Sequence, residues 1–241
     1  MKKDILVCGV GGQGTVLASK LIASAAMTLG NTVHSAETIG MAQRGGSVTS
    51  HIRIGDDAYS PLIPFGSADM IIAFEPAEAV RNLMYLKKGG FVVVNRIPVK
   101  PATESLHDSG YDGAQMIEYI RKKCECIVVD ASELCGELGA KFYNSAILGA
   151  AAGTGRLGIS PEALIAEIER RVPERFVEAN KKVFNAGLAA VGKGAGRETR
   201  PLHYIFSLKL VKNTFSAFSE VLLSMHLFRA EHYAALNEIG Q

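Results

Sequence analysis

The chain opens on a short apolar run, Ile5-Leu6-Val7. It breaks at Cys8-Gly9-Val10-Gly11-Gly12-Gln13-Gly14 and resumes with Val16, Leu17, Leu21, Ile22 and Ala25 at helical spacing. An unbroken apolar run bounded by glycines reads as a buried strand, and the three- and four-residue steps after it read as a helix. The pattern predicts a strand over 4–8 and a helix over roughly 14–29, stopped by Gly30-Asn31. Thr32-Val33-His34-Ser35 reads as a second strand, which closes a βαβ unit.

The pattern then changes period. Ala36 to Ser50 is a polar, glycine-containing loop that carries Glu37, Gln43, Arg44, Gly45 and Gly46 and runs into Ser47–Ile54. In that last stretch Val48, Ser50, Ile52 and Ile54 alternate with Thr49, His51 and Arg53, the signature of a one-sided strand, antiparallel or at an edge. Gly55-Asp56-Asp57 is a turn, and Ala58-Tyr59-Ser60-Pro61 is expected to pair back as a short strand. Asp69–Phe74, Phe91–Asn95 and Cys126–Asp130 are near-continuous apolar runs, as in the middle of a parallel sheet. Between and after them the spacing predicts helices over 75–86, 112–123, 131–139 and 144–153. A further helix opens at Ser160-Pro161 and ends before Pro173.

The fold expected is α/β: a doubly wound, Rossmann-like, mostly parallel sheet with a β-hairpin insertion and a C-terminal helical extension. Gly187, Gly192, Gly194 and Gly196 mark a change of composition, so the expected division is a domain over 1–187, a glycine-rich linker over 188–202 and an extension over 203–241. In the extension Leu208, Val211, Phe215, Phe218, Leu222 and Met225 form one apolar seam. Such a helix needs a surface, either its own core or a partner chain.

Composition narrows the picture further. The 241 residues, 48% hydrophobic and 21% charged, suffice for a full α/β core, and a net charge of +2 gives no electrostatic reason to expect nucleic acid or a membrane as partner. No signal peptide and no run of about 18 uncharged apolar residues is visible, so the expected location is cytoplasmic. The four cysteines, Cys8, Cys124, Cys126 and Cys135, lack the spacing of a metal site or an iron–sulfur run and read as reduced thiols.

Candidate chemistry concentrates in the two glycine segments. Gly9, Gly11, Gly12 and Gly14 lie between a strand and a helix, where backbone N–H groups and the helix dipole favour an anion. They read either as a phosphate cradle or as a turn kept for strand–helix packing. A third reading, NAD with Glu37 on a ribose hydroxyl, leaves the Arg44 loop unexplained. Gln13 is expected at the helix N-terminus with its amide available to a ligand, or else simply solvated. Arg44 is the foremost functional side chain: its guanidinium can hold a carboxylate or phosphate in two bonds, or close the loop on Glu37. Gly45 and Gly46 let the backbone turn beside it, and Ser47 either donates its hydroxyl or begins the strand. Asn144 is expected to cap the small-residue helix or to touch the ligand. His51 and His34 read as ordinary polar-face and structural residues. No catalytic constellation and no metal site is legible.

Gly9-Val10-Gly11-Gly12-Gln13-Gly14 and Gly40-Met41-Ala42-Gln43-Arg44-Gly45-Gly46-Ser47, occurring in that order on a doubly wound pattern, resemble the gamma-type domain of 2-oxoacid:ferredoxin oxidoreductases. The version of the second motif found here, continued by Ser50-His51-Ile52-Arg53-Ile54-Gly55, looks most like the indolepyruvate branch. Asp69–Glu75 and Asn144–Ala150 fit the same outline, and the likeness covers about residues 4–187. The resemblance implies a subunit of a complex that is active only with a large partner subunit. That partner would carry thiamine diphosphate and [4Fe–4S] clusters; an arylpyruvate (indolepyruvate) would be oxidatively decarboxylated, electrons would pass to ferredoxin, and the acyl group would leave on coenzyme A. No cofactor is expected to be bound by this chain alone. Gly9, Gly11, Gly12, Gln13, Gly14, Arg44, Gly45, Gly46, Ser47 and Asn144 would serve the anionic groups of coenzyme A or substrate. Two alternatives remain: a non-catalytic structural subunit, and a free-standing NAD-dependent oxidoreductase.

Overall fold

The computed structural model describes residues 1–39, 45–99, 111 and 113–192. The chain builds a six-stranded sheet in the order β2-β3-β1-β4-β5-β6. The strands are β1 Lys3–Val10, β2 Val33–Ile39, β3 Ser47–Ile54, β4 Ala68–Ala73, β5 Leu86–Asn95 and β6 Glu125–Val129. Strands β1, β4, β5 and β6 are mutually parallel, and β3 runs antiparallel to both β1 and β2. The apolar runs of β1, β4 and β5 are buried on both sides, as unbroken hydrophobic strands in the middle of a parallel sheet must be.

Among the described residues seven helices cover the two faces: α1 Thr15–Thr28, α2 Pro76–Asn82, α3 Ala114–Lys123, α4 Ala131–Cys135, α5 Tyr143–Gly153, α6 Pro161–Arg171 and α7 Glu174–Gly192. On one face Ile5, Val7, Met70, Ile72 and Val93 pack with Leu21 and Ile22 of α1, Ile147 of α5, Leu164 of α6 and Phe184 of α7. On the other, Leu6, Cys8, Ile71, Ala73, Val92 and Val94 pack with Ala79 of α2 and Ile120 of α3. Each fully buried large aliphatic or aromatic side chain contributes about 1.5–3 kcal/mol. The exposed ion pairs, such as Lys2–Asp57 and Arg121–Glu118, are screened by water and add little, so the two apolar layers hold the fold.

Several expectations change. Strand β3 is antiparallel as its alternation predicts, but it lies inside the sheet, between β2 and β1. Strands β2 and β3 are therefore the antiparallel hairpin, and Ala58–Pro61 forms no strand. The reason lies on the polar side of β3. Arg53 pairs with Asp4 at 2.9 Å and donates to the carbonyl oxygens of Ser60 (3.2 Å) and Leu62 (3.5 Å), so a side chain and not a ladder holds that connection. The helix expected over 75–86 stops at Asn82, passes through a 3₁₀ turn at Leu83–Tyr85, and β5 starts at Leu86.

Helix α7 continues through Gly187 to Gly192, across the boundary expected after 187, and the rest of the linker expected over 188–202 lies outside the described residues. Gly187 serves a helix crossing instead. A Cβ there would lie 2.0 Å from the Ala146 carbonyl oxygen, and one on Gly149 would lie 2.0 Å from that of Phe184. The two glycines let α5 and α7 touch backbone to backbone. The apolar seam of 203–237 lies outside the described residues.

Candidate functional site

The carboxyl ends of β1, β4 and β5 meet the beginnings of α1, α2 and α5 at one end of the sheet, the usual place for a ligand in an open α/β fold. After Val10 the chain turns through Gly11-Gly12-Gln13 into α1. Gly14 is the N-cap of α1, with φ 81°, and no side chain caps the helix. A left-handed N-cap needs a glycine, and its first-turn N–H groups are left to whatever sits in front of them. Behind Gly14 stands Asn144, buried, whose Nδ2 would be 2.8 Å from a Cβ at that position. In front, Gly12 (φ 98°) has no atom of the described residues within 4 Å of the place its Cβ would occupy.

The two glycine motifs, about thirty residues apart in sequence, are one backbone surface. Gly11 N–H donates to Gly46 O at 2.8 Å, and Gly45 N–H donates to Gly11 O at 3.3 Å. The cause is register: β1 pairs with β3 so that Val10 faces Ser47, which carries the β1 loop onto the glycines that precede β3.

Three side chains behave differently from expectation. Gln13 turns its amide onto backbone: its Oε1 accepts from Val10 N at 2.8 Å and its Nε2 donates to Phe74 O at 3.0 Å. It closes the loop on itself and ties it to the end of β4. Asn144 is the second residue of α5 and not its cap, a position that belongs to Phe142; its Oδ1 accepts from Ser145 N at 2.9 Å. His51 is buried between β3 and the 58–63 connection, where Nδ1 accepts from Ile63 N at 3.2 Å and the ring stands edge-on to Tyr85. Burial pushes its pKa down, so it is a neutral core histidine. Ser47 begins β3, the second of its two expected uses, and its hydroxyl donates to Glu78 Oε2 at 2.6 Å. Arg44 lies outside the described residues.

Sequence reasoning missed the acids behind this surface. Glu75, Glu78 and Asn95 are buried at the carboxyl ends of β4 and β5. Glu75 Oε2 caps α2 by accepting from Glu78 N at 2.9 Å, and its other oxygen accepts the Tyr111 hydroxyl. Glu78 is paired with Arg81. Burial pushes the Glu75 carboxyl up, against the Tyr111 hydroxyl and the backbone N–H groups that hold it down. Asn95 Nδ2 and Gln13 Nε2 share the Phe74 carbonyl, so the ends of β1, β4 and β5 are held in one network. The available signal was the pair Glu75-Pro76-Ala77-Glu78 directly after a buried strand, which reads equally well as an acidic first helix turn.

Among the described residues no three His, Cys, Asp or Glu side chains are grouped to hold a metal ion. Cys8 and Cys135 lie in different apolar layers, on opposite faces of the sheet. Burial pushes Cys124 up to about 12 and Cys135 up to about 11. An iron–sulfur cluster needs four converging thiolates, and these residues do not fit one. Glu37 sits on β2, with β3 between it and β1. It is thus two strand spacings, about 10 Å, from the glycine loop, where a ribose-binding acid would have to be one. Among the described residues no helix is long and apolar enough to cross a membrane.

Residues 4–190 match the family described as pyruvate ferredoxin/flavodoxin oxidoreductase. The indolepyruvate oxidoreductase subunit IorB of Pyrococcus horikoshii is 37% identical over 191 residues, 78% of this chain and 95% of the relative. The IorB subunit of Archaeoglobus fulgidus is 38% identical over 190 residues, covering 78% and 94%. Among solved structures, the gamma subunit of a keto/oxoacid ferredoxin oxidoreductase from Geobacter sulfurreducens superposes with a TM-score of 0.57 at 25% identity, covering 79% of this chain and 99% of that one. A mostly parallel sheet with one inserted antiparallel strand, two glycine segments joined at its carboxyl end, and these matches together place the chain in the pyruvate ferredoxin/flavodoxin oxidoreductase family, as a gamma-type domain of the IorB kind.

Proposed function

We propose that this chain completes the active site of an indolepyruvate (arylpyruvate):ferredoxin oxidoreductase, working only with a large partner subunit. The overall reaction releases CO2 from the 2-oxoacid, passes two electrons to ferredoxin one at a time, and leaves the acyl group on the coenzyme A sulfur. The partner would hold thiamine diphosphate and [4Fe–4S] clusters, which would supply the decarboxylation and electron-transfer chemistry. The work of this chain is binding and exclusion of water. The backbone N–H groups of Gly12 and Gly14 at the start of α1, the Gly46 backbone, the Asn144 amide and the Arg44 guanidinium would hold an anionic group of coenzyme A, its diphosphate being the natural match, while the N–H groups of Gly11 and Gly45 join the two segments. Gln13 and Ser47 shape that surface and leave the ligand to their neighbours. The four cysteines are unpaired thiols, which suits a reducing cytoplasm.

The observation that carries this reading is the pair of hydrogen bonds between Gly11 and the Gly45–Gly46 backbone. They turn two separate sequence motifs into one surface in front of an uncapped helix. The test is turnover of indolepyruvate with coenzyme A and a low-potential acceptor, for this chain alone, the large subunit alone, and the mixture. Turnover is expected in the mixture only. Arg44→Ala should raise the KM for coenzyme A by about tenfold or more, the range for a lost charge-assisted bond, with the complex intact. A wild-type KM in that variant would assign the chain a scaffolding role. Tight binding of NAD by the isolated chain would sink the reading altogether.

A further inference from the structure

Two buried carboxylates stand in the first turn of α2, and helix stability accounts for only one of them. Glu75 caps the helix, a single acceptor for the free N–H groups of that turn. Glu78 does something else. Its side chain is 5% exposed, yet both oxygens are engaged: Oε2 takes the Ser47 hydroxyl at 2.6 Å and Oε1 is paired with Arg81. Withdrawing a carboxylate this far from water costs several kcal/mol, and the cost is met only when its partners stay in place.

The bond to Ser47 joins residues 31 apart in sequence. Ser47 ends the second glycine motif, directly after Gly46, whose carbonyl receives the Gly11 N–H. The first residue of β3 is therefore gripped from two sides, by the β1 loop through backbone and by α2 through Glu78. The same turn of α2 holds a second segment, since the Tyr111 hydroxyl donates to Glu75 and accepts from Ala77 N at 3.1 Å. An unneutralised carboxylate here would repel an anion in front of the glycines; Arg81, paired with it, removes that repulsion while leaving the acceptor for Ser47.

We propose that Glu78, braced by Arg81, is a positioning residue: through Ser47 it fixes the Gly45–Gly46 backbone against Gly11 and so sets the shape of the anion surface. The functional half of this proposal rests on the coenzyme A reading above. The experiment uses the full chain alone and in complex with the large subunit, with Glu78→Gln, Ser47→Ala and Ser47→Thr. Hydrogen exchange at the Gly11 and Gly45 amides reports the grip directly. Ser47→Ala should speed exchange at both amides about tenfold, a lost charge-assisted bond, and lower the unfolding midpoint, because the buried Glu78 carboxylate loses one of its two partners. In the complex it should raise the KM for coenzyme A by about the same factor and by more than it lowers kcat. Ser47→Thr, which keeps the hydroxyl, should restore both values. Glu78→Gln should show the same pattern, and if it fails to fold, the two Ser47 variants decide alone. Unchanged exchange in Ser47→Ala overturns the grip itself. Faster exchange with an unchanged KM for coenzyme A keeps the grip but overturns the coenzyme A reading and the positioning role with it.

Discussion

A glycine can be kept for the space it leaves or for the backbone angle it allows, and the two kinds differ in cost. Gly149 and Gly187 are of the first kind. Either Cβ would meet a backbone carbonyl oxygen at 2.0 Å, and carbonyls of two packed helices cannot step aside. Gly149→Ala should therefore destabilise by about 3 kcal/mol or more, a loss of about 6–12 °C in the melting midpoint for a domain of this size. Gly12 is of the second kind: among the described residues its Cβ would meet nothing within 4 Å, and its φ of 98° opposes a side chain. Gly12→Ala should cost about 1–2 kcal/mol and act on binding more than on folding. Thermal unfolding of the two variants checks the order, and an equal loss would mean that α5 and α7 do not touch at these glycines. The sequence carried the glycines of the site openly, because glycine before a helix has few other uses. It hid Gln13 and His51, since an amide or an imidazole is spent on whichever backbone group folding brings near. Phe74 O and Ile63 N are such groups, and no local pattern announces them.

At the scale of elements, the strands and helices of the parallel half were legible because each is a long apolar run or a clear helical period. The position of β3 was not. Alternation reveals that a strand is one-sided, and it is silent on which neighbours it joins; that is decided by pairing register across β1 and β2. The docking of α6 on α1 was equally hidden, and it turns on one acid. Glu167 is buried, which by itself would raise its pKa. Hydrogen bonds from Arg170, Ser24, Arg171 and Thr28 outweigh that and hold it down at about 2. A carboxylate whose folded pKa is depressed adds stability above the ordinary value of 4.5 and loses it as pH falls toward 2. Denaturant unfolding of wild type and Glu167→Gln across pH should show a constant gap from about pH 6 upward, closing below 4.5 as the acid protonates. A gap that stays open at the acid end would mean that the Arg170 and Arg171 contacts work by packing and not by charge.

Among the described residues the fully buried members of both apolar layers lie between Ile5 and Phe184, with Leu188 and Val191 packed against one layer. The family match ends at residue 190, and the Pyrococcus horikoshii relative is covered over 95% of its length by 78% of this chain. A domain is self-sufficient when its own elements bury their apolar faces on one another, and here the sheet has a helical layer on each side. A chain ended after Gly192 should thus unfold cooperatively with a midpoint within about 3 °C of the full chain, a change of no more than roughly 1 kcal/mol. Circular dichroism melts of the two chains check it. Should the shortened chain melt early or without cooperativity, the seam of Leu208, Val211, Phe215, Phe218, Leu222 and Met225 would belong to this domain's core. If instead it melts with the full chain yet no longer joins the large subunit, the seam is a surface for that partner, the use its alternating three- and four-residue spacing fits as well as any internal one.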